Sequence, residues 1–296
     1  MLKTGIYRAI LPVVRGFGRH RFFGSPLVTR LLWDTAPRDA MMLASCPSES
    51  FVVAAGDQVI GQWLFKHREP FDFSKLERVV EMLGQQRMRL LLDIGANIGT
   101  ICIPAVNRGL FERAIAFEPE PRNFSLLRAN AELNRVADRI TTHNIALGEK
   151  NDEILSFELS KGNHGDHRAR YGNCNSDFGP ETIQVPSQTL DRILDDIDLG
   201  STLLWMDTQG FEGYVLAGAA RTLQRKLPLV TEFWPGGLAS SGSMGRFRGA
   251  LQLAGYSSFC DLSEKEIAMR PFSLAALDAL AQRLGTDGGQ TDLLFI

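Results

Sequence analysis

Apolar and polar positions along the chain alternate in blocks that predict strand after helix. Short apolar runs, typical of buried strands, are separated by stretches in which apolar residues recur every three or four positions. The predicted strands are 90–94, 114–117, 140–145, 203–206, 229–233, 257–260 and 293–296. The predicted helices are 100–108, 123–134, 212–223 and 244–254. The pattern predicts an α/β fold with a doubly wound, mostly parallel seven-stranded sheet, whose last two strands form an antiparallel edge.

Two regions precede this sheet. Residues 1–33 have a basic amphipathic pattern, interrupted by Pro12, and we interpret them as an arm. Residues 34–88 form a front module, in which strands 51–53 and 59–65 predict a hairpin and a helix follows from Asp72 or Ser74 to Leu83. The main domain is then 89–296.

The main domain carries an insertion at 149–199 that interrupts the alternation. Two further strands are predicted there, at 154–159 and 182–185, on either side of a polar loop, 160–180. The insertion is too long for a simple connection, and its place between the third and fourth strands lets it reach over their carboxyl ends. We interpret the loop as a lid over a ligand site at this edge of the sheet, on the side where a second substrate, the acceptor, would enter.

Charge and composition narrow the class of protein. The 32 Lys and Arg residues nearly balance the 34 Asp and Glu residues, so no overall basic field indicates a nucleic-acid partner. Residues 1–33 contain six Lys and Arg residues and no Asp or Glu. The rest of the chain therefore has 26 basic residues against 34 acidic ones. Such an arm suits either contact with an anionic membrane surface or docking on protein. Four separated cysteines and the lack of a long apolar run indicate a cytoplasmic chain without a membrane span.

The strongest chemical signal follows the first strand of the sheet. The segment D-I-G-A-N-I-G at 93–99 ends an apolar strand in a carboxylate and opens a helix through a glycine turn, a typical ligand-binding turn. The spacing of Gly95 and Gly99 lacks the middle glycine of a dinucleotide fingerprint, and Asp93 would repel a pyrophosphate. Asp93, Gly95, Asn97 and Gly99 therefore predict a cationic ligand such as S-adenosylmethionine.

A second carboxylate stands where a ribose would be bound. Glu118 follows the second strand, and a carboxylate there can accept both ribose hydroxyls. N-I-A-L-G at 144–148 follows the third strand, where Asn144 and Ala146 would lie beside an adenine. A plain turn after the strand is the alternative interpretation of that segment.

Together these segments resemble the FkbM-type methyltransferases. The resemblance covers about residues 50–260 and rests on D-I-G-A-N-I-G at 93–99, F-E-P at 117–119, Asn130, N-I-A-L-G at 144–148, T-L-D at 189–191, M-D-T-Q-G-F-E at 206–212, L-A-G-A at 216–219 and Glu232. It implies a Rossmann-like class I fold and S-adenosylmethionine-dependent methylation, usually of an oxygen on a sugar or natural product. The family commonly has K-I-D-V-E-G where this chain has W-M-D-T-Q-G at 205–210, so a lysine and a glutamate are missing.

Methyl transfer from an activated sulfonium needs alignment, exclusion of water and an acceptor for a proton. We expect Asp207 to place the donor or the acceptor, and Glu232 to be the base. His164 or His167 of the loop is the alternative base. These histidines flank Asp166, but no third ligand is visible, so we expect no metal site.

Two other functions stay open at this stage. One is a non-catalytic cofactor-binding module tethered by its arm, since the segment 206–209 departs from the family. The other is a nicotinamide-dependent oxidoreductase, which Asp93 and the glycine spacing disfavour. The acceptor, the choice of oxygen or nitrogen and the oligomeric state are not encoded in any pattern found here.

Overall fold

The computed structural model describes residues 26–84, 87–170 and 181–296. Its strands are β1 Met41–Ser45, β2 Ser50–Ala54, β3 Met88–Ile94, β4 Phe111–Phe117, β5 Ile140–His143, β6 Ala146–Leu147, β7 Glu153–Glu158, β8 Arg168–Arg170, β9 Thr182–Gln188, β10 Thr202–Met206, β11 Leu229–Phe233, β12 Ser258–Asp261, β13 Arg270–Pro271 and β14 Thr291–Phe295. Its α-helices are α1 Pro26–Thr35, α2 Ile60–His67, α3 Phe73–Met82, α4 Cys102–Asn107, α5 Pro121–Leu133, α6 Leu190–Ile193, α7 Glu212–Ala217, α8 Ala220–Leu223, α9 Pro235–Ser240, α10 Met244–Ala254 and α11 Leu274–Leu284.

The main sheet confirms the predicted α/β fold class. Its strand order is β13-β12-β14-β11-β10-β3-β4-β5, and the neighbours from β11 through β5 pair in parallel. β14 is antiparallel to both β11 and β12, as predicted for the edge. The two-residue strand β13 adds an eighth strand to the seven that were predicted.

The central strand β3 shows why this sheet needs helices on both faces. Leu90 and Leu92 belong to one buried cluster, whereas Leu91 belongs to the other, because successive side chains of a strand point to opposite faces. All three are inaccessible to solvent. A continuous apolar run is the expected sequence of a parallel strand that is covered on both sides.

The predicted hairpin of the front module is wrong in its second strand. β2 pairs with β1, which precedes it, and residues 60–67 form α2. Ile60 and Leu64 are both buried and lie four positions apart, so a single helical face carries them into the core. A short apolar run cannot by itself separate a strand from a buried helix, which explains the error.

Two helices also differ from the predicted pattern. The predicted helix 212–223 is divided into α7 and α8 at Gly218, where a Cβ would lie 2.0 Å from the carbonyl oxygen of Gly148. The stretch before the last strand, expected to be rich in loops, contains α11. Ser273 caps that helix by accepting a hydrogen bond from the Ala276 N–H, and this was its overlooked signal.

The insertion forms a sheet of its own. β7 and β9, which correspond to the two predicted strands, pair antiparallel, and β6 and β8 complete the order β6-β9-β7-β8. Residues 171–180 of the predicted loop 160–180 lie outside the described residues.

The predicted arm, 1–33, is described only from residue 26 onward. Leu32 and Trp33 of α1 are buried, and the Trp33 ring packs 5.4 Å from that of Phe65 on α2. Within the described residues, none of the helices has the length and apolar content that a membrane span requires.

Candidate functional site

The register of the parallel strands places several predicted site residues side by side at the carboxyl edge of the sheet. Ile94 of β3 pairs with Phe117 of β4 on one side and with Met206 of β10 on the other. The next residues, Gly95, Glu118 and Asp207, therefore meet at the carboxyl ends of the strands. β11 continues this row, since Met206 pairs with Thr231 and Glu232 follows. Crevices at this edge are where doubly wound sheets bind ligands.

The glycine turn after β3 is set by close packing. Gly95 has a φ of +88°, and a Cβ on it would lie 1.9 Å from the carbonyl oxygen of Asp207. Gly99 has a φ of +91°, and its Cβ would lie 2.4 Å from Ile103. Asn97, between them, is also left-handed, with a φ of +51°. Only glycine fits at the two flanking positions without displacing neighbours.

Asp93 is buried beneath the glycine turn and binds the start of the helix that follows the turn. Its Oδ2 accepts a hydrogen bond of 3.1 Å from the Cys102 N–H at the start of α4, and the side chain is 1% exposed. Burial raises the pKa of Asp93 to about 6. The carboxylate is absent from the lining of the cavities described below, and its predicted contact with a cationic ligand stays a prediction.

Glu118 lies in the wall of the main cavity. Its Oε2 accepts the Asn97 N–H at 2.8 Å, and its Oε1 accepts the Glu120 N–H at 2.8 Å, so the carboxylate is held by backbone alone. Each oxygen keeps a lone pair that a ligand can use. Burial raises the pKa of Glu118 to about 8. Asn144 does not line this cavity. Its side-chain amide donates to the carbonyl oxygens of Glu118 and Pro119 and so holds the segment that follows β4.

The main cavity, whose wall contains Glu118, has both apolar and polar lining residues. The lining includes the apolar side chains of Ile145, Ala146 and Phe157. Ile145 and Glu118 follow the neighbouring strands β5 and β4, whereas Asp207 and Gln209 follow β10, on the far side of β3. The cavity thus runs from an apolar and carboxylate-lined pocket to the polar end of β10.

Both predicted loop histidines line this same cavity. The carbonyl oxygen of His164 accepts hydrogen bonds from Asn97 at 3.2 Å and from Asn123 at 2.8 Å, which ties the loop to the glycine turn. His167 Nδ1 accepts the Ser160 N–H, so a neutral His167 ring carries its proton on Nε2. Burial lowers the pKa of His167 to about 4. A ring in this state is poorly arranged to take a proton through Nε2.

A second cavity lies on the other side of the glycine turn. It shares Gly95, Asn97, Gly165 and Asp207 with the first, and adds Trp205, Asp72 and Asp292 among others. Lys75 of α3 bonds to Asp72 at 3.0 Å and to Asp292 at 2.6 Å. Sequence reasoning missed Asp72, Lys75 and Asp292 because they come from segments far apart along the chain.

Asp207 belongs to a cluster of three carboxylates. Asp207, Glu212 and Glu232 each bring an oxygen to within 4.8 Å of the others. Burial raises the pKa of all three, and the neighbouring charges raise those of Asp207 and Glu232 further. Asp207 reaches about 7, and Glu232 rises well above its ordinary range. Both causes favour the neutral form of the Glu232 carboxyl, and its predicted role as general base stays a prediction.

The sequence model of the methyltransferase FkbM domain matches residues 93–257, more than half of the chain. The chain belongs to the FkbM methyltransferase family.

Individual relatives vary in closeness to this FkbM domain. It is 29% identical over 182 residues to the 2-O-methyltransferase NoeI of Sinorhizobium fredii, a match that covers 56% of the chain and 72% of NoeI. It is 35% identical over 85 residues to a tRNA (guanine(37)-N(1))-methyltransferase of Danio rerio, covering 25% of the chain and 17% of that enzyme. Among solved structures, the methyltransferase FkbM of Methylobacillus flagellatus is 20% identical, with a TM-score of 0.41 over 71% of this chain and 44% of that one.

Two positions of this FkbM domain depart from the motif quoted above. Trp205 stands in place of the lysine and lines the second cavity, where Lys75 is bonded to two of the lining acids. Gln209 stands in place of the glutamate, and its Nε2 donates to Asp207 Oδ1 at 2.6 Å. The same Nε2 lies 3.5 Å from Glu232 Oε1. The Gln209 amide therefore links Asp207 and Glu232, whereas a glutamate at position 209 would repel both of them.

Proposed function

We propose that this methyltransferase transfers the methyl group of S-adenosylmethionine to a hydroxyl group of a sugar or natural product. The observation that carries the proposal is Glu118, a carboxylate fixed by two backbone N–H groups in a cavity wall at the end of the second strand of the parallel sheet. The family and the name of the relative NoeI support the methyl transfer and the choice of oxygen.

The residues present fit the proposed donor. Glu118 offers its free lone pairs to the ribose hydroxyls, and the apolar wall of Ile145, Ala146 and Phe157 suits an adenine ring. The carboxylate of Asp207 lies at the opposite end, where a sulfonium would be stabilised by negative charge. When bound, S-adenosylmethionine supplies an activated methyl group.

The second cavity is the proposed place for the acceptor. Asp207 lines both cavities, so it can accept a hydrogen bond from an acceptor hydroxyl while facing the donor. Gly165 of the loop lines both cavities and His164 lines the first, so the loop is placed to limit the access of water to their junction. Catalysis in this arrangement is mainly alignment of two ligands across the glycine turn.

Calorimetric titration with S-adenosylhomocysteine tests the donor site. At pH 8.5, where Glu118 is mostly ionised, Glu118→Ala should weaken binding by about 1.5 to 3 kcal/mol, because charge-assisted hydrogen bonds to the ribose are lost. Glu120→Ala is the matched control, since Glu120 caps α5 through the Arg122 and Asn123 N–H groups and lies outside the cavity lining. Unchanged affinity in Glu118→Ala, or binding of NAD instead, would refute the proposal.

Labelled methyl transfer tests the acceptor class. Incubation with methyl-labelled S-adenosylmethionine and a set of oligosaccharides should label a hydroxyl, whereas transfer RNA should remain unlabelled. Donor binding without transfer to any sugar or natural-product acceptor would favour a non-catalytic module. That alternative gains its support from the departures at Trp205 and Gln209.

We also propose a cytoplasmic setting. The described cysteines, Cys46, Cys102 and Cys260, are unpaired, which suits a reducing compartment. Fractionation of cells should place the full chain in the cytoplasm or at the inner surface of the membrane.

A further inference from the structure

We propose that Asp207, Glu212 and Glu232 form a binding site for a divalent cation that prefers oxygen ligands, of the Mg²⁺, Mn²⁺ or Ca²⁺ class. Each residue offers one carboxylate oxygen, and these oxygens lie within 4.8 Å of one another. That spacing is short enough for a single ion with ligand bonds of about 2.0 to 2.6 Å.

The three ligands stand on ordered elements. Asp207 directly follows β10, Glu232 lies in the adjacent parallel strand β11, and Glu212 begins α7. Glu212 Oε1 accepts the N–H groups of Thr208 and Gly210, which fixes the side chain in one orientation. The site is therefore largely formed before an ion arrives, as strong cation binding requires.

Unsatisfied oxygens point to a missing partner. Glu212 Oε2 and Glu232 Oε2 are fully buried and accept no hydrogen bond from the described residues. The side chain of Glu212 is 0% exposed and that of Glu232 is 4% exposed. Burying a carboxylate oxygen without a partner is unfavourable, and a cation in the cluster would supply that partner.

The charge of the cluster is also uncompensated. Within residues 26–84, 87–170 and 181–296, no Lys, Arg or His forms an ion pair with Asp207, Glu212 or Glu232. The nearby cation Lys75 is bonded to Asp72 and Asp292 instead. Gln209 contributes only a neutral amide donor. A bound divalent ion is the counter-charge that fits three carboxylates.

The ligand set indicates the class of ion. Hard oxygen ligands without a thiolate or an imidazole favour Mg²⁺, Mn²⁺ or Ca²⁺ over Zn²⁺ and copper. His164 and His167, the residues that first suggested metal chemistry, are not members of the cluster. Since Asp207 lines both cavities, the ion would also face an acceptor hydroxyl, a role that rests on the proposed function.

Manganese binding to the full chain tests the site. Titration with Mn²⁺, followed by electron paramagnetic resonance and calorimetry, should show one site with a Kd of about 10⁻⁵ to 10⁻³ M. Glu232→Gln and Asp207→Asn should each weaken binding at least tenfold. Asp195→Asn, which removes the same charge from a surface ion pair with Arg221, should bind Mn²⁺ as the unaltered chain does.

Thermal unfolding separates loss of the site from loss of the fold. Without metal, Glu232→Gln should melt no lower than the unaltered chain, because it relieves repulsion in the cluster. Saturating Mn²⁺ should raise the Tm of the unaltered chain by about 3 to 8 °C and leave the Tm of Glu232→Gln nearly unchanged.

Two results would overturn the site: no binding of Mn²⁺, Mg²⁺ or Ca²⁺ at several millimolar, or equal affinity in all variants. Titration with S-adenosylhomocysteine in the same samples keeps the two proposals distinct. Donor binding without cation binding rejects the cation site alone. Cation binding without donor binding rejects the proposed function alone.

Discussion

At the scale of single residues, Gly95 is the position of the site where an added side chain would have the least room. Its positive φ and the carbonyl oxygen of Asp207 leave no room for a side chain. The turn consequently brings β3 and β10 together at the point where the two cavities meet. A glycine required by packing therefore sets the relative position of Asn97 and Asp207.

Replacement of Gly95 tests this account. Gly95→Ala should lower the free energy of unfolding by about 3 to 4 kcal/mol, since a methyl group must displace backbone as well as adopt a left-handed conformation. Gly109→Ala is the matched control: its φ is +76°, but no atom lies within 4 Å of the added Cβ. We expect only about 1 kcal/mol there. Urea unfolding measures both, and equal losses would contradict the packing argument.

Glu118 should make donor binding depend on pH. Burial raises its pKa to about 8, and the ionised form is the better acceptor for ribose hydroxyls. Affinity for S-adenosylhomocysteine should therefore rise about tenfold between pH 6.5 and 8.5. Calorimetry across this range checks it, with Glu120→Ala expected to keep the dependence and Glu118→Ala to lose it. A flat profile in the unaltered chain would contradict the assignment.

The same residue should affect stability with the opposite sign. The folded-state pKa of Glu118 lies above its value of about 4.5 in the unfolded chain. Its contribution to stability is therefore present below pH 4.5 and is lost as the pH rises to about 8. Over this window the free energy of unfolding of Glu118→Ala should fall less steeply than that of the unaltered chain, as measured by urea unfolding at several pH values.

At the scale of elements, α5 holds the front hairpin against the main domain. Asn130 Oδ1 accepts the Val52 N–H at 2.7 Å, and its Nδ2 donates to the carbonyl oxygens of Val52 and Ile98. One turn later, Asn134 makes the equivalent pair of bonds with Ser50. Two asparagines on one helix face thus replace a neighbouring strand along the edge of β2.

Asn130 is expected to be the stronger of the two contacts. Asn130→Ala removes three hydrogen bonds from a fully buried position and should cost about 3 kcal/mol. Asn134→Ala, whose side chain is partly exposed, should cost about 1 kcal/mol. Hydrogen exchange at Val52 should accelerate in Asn130→Ala more than in Asn134→Ala. Equal protection of Val52 in both variants would show that the hairpin is held by apolar packing alone.

Across the whole molecule, charge is distributed unevenly. Five of the 32 cations and none of the 34 acids lie in residues 1–25, which leaves 27 cations against 34 acids for the rest. Leu27 and Leu31 of the adjoining helix α1 are 78% and 44% exposed, whereas Leu32 and Trp33 are buried. The useful boundary for removing the basic segment therefore lies before α1 and not after residue 33.

Truncation should separate the role of the basic residues 1–25 from that of α1. Deletion of residues 1–25 should reduce co-sedimentation with anionic vesicles several-fold and leave the Tm and donor affinity unchanged. Deletion of residues 1–33 should also lower the Tm, because it removes the buried side chains of Leu32 and Trp33. Equal vesicle binding by the full chain and the shorter truncation would show that the segment does not contact membranes.

The sequence by itself determined where the parallel strands lie along the chain and which carboxylates stand at their carboxyl ends. Buried parallel strands need continuous apolar runs. A carboxylate at the end of such a run lies at the carboxyl edge of the sheet, independently of the conformation of the loops. Asp93, the last residue but one of β3, and Glu118 and Asp207, directly after β4 and β10, were therefore located from their places along the chain. The segment 59–65 was mistaken for a strand because its apolar run is too short to distinguish the two periodicities.

Only the tertiary structure decided which charges stand together. Glu212 and Glu232 are 20 positions apart, and Lys75 and Asp292 are 217 apart, yet each pair meets at the sheet edge. No local pattern encodes such contacts, because they depend on the order of the strands across the sheet and on the path of α3. The protonation of Glu118, Asp207 and Glu232 was likewise undetermined until burial was known, since desolvation is the largest cause of each shift.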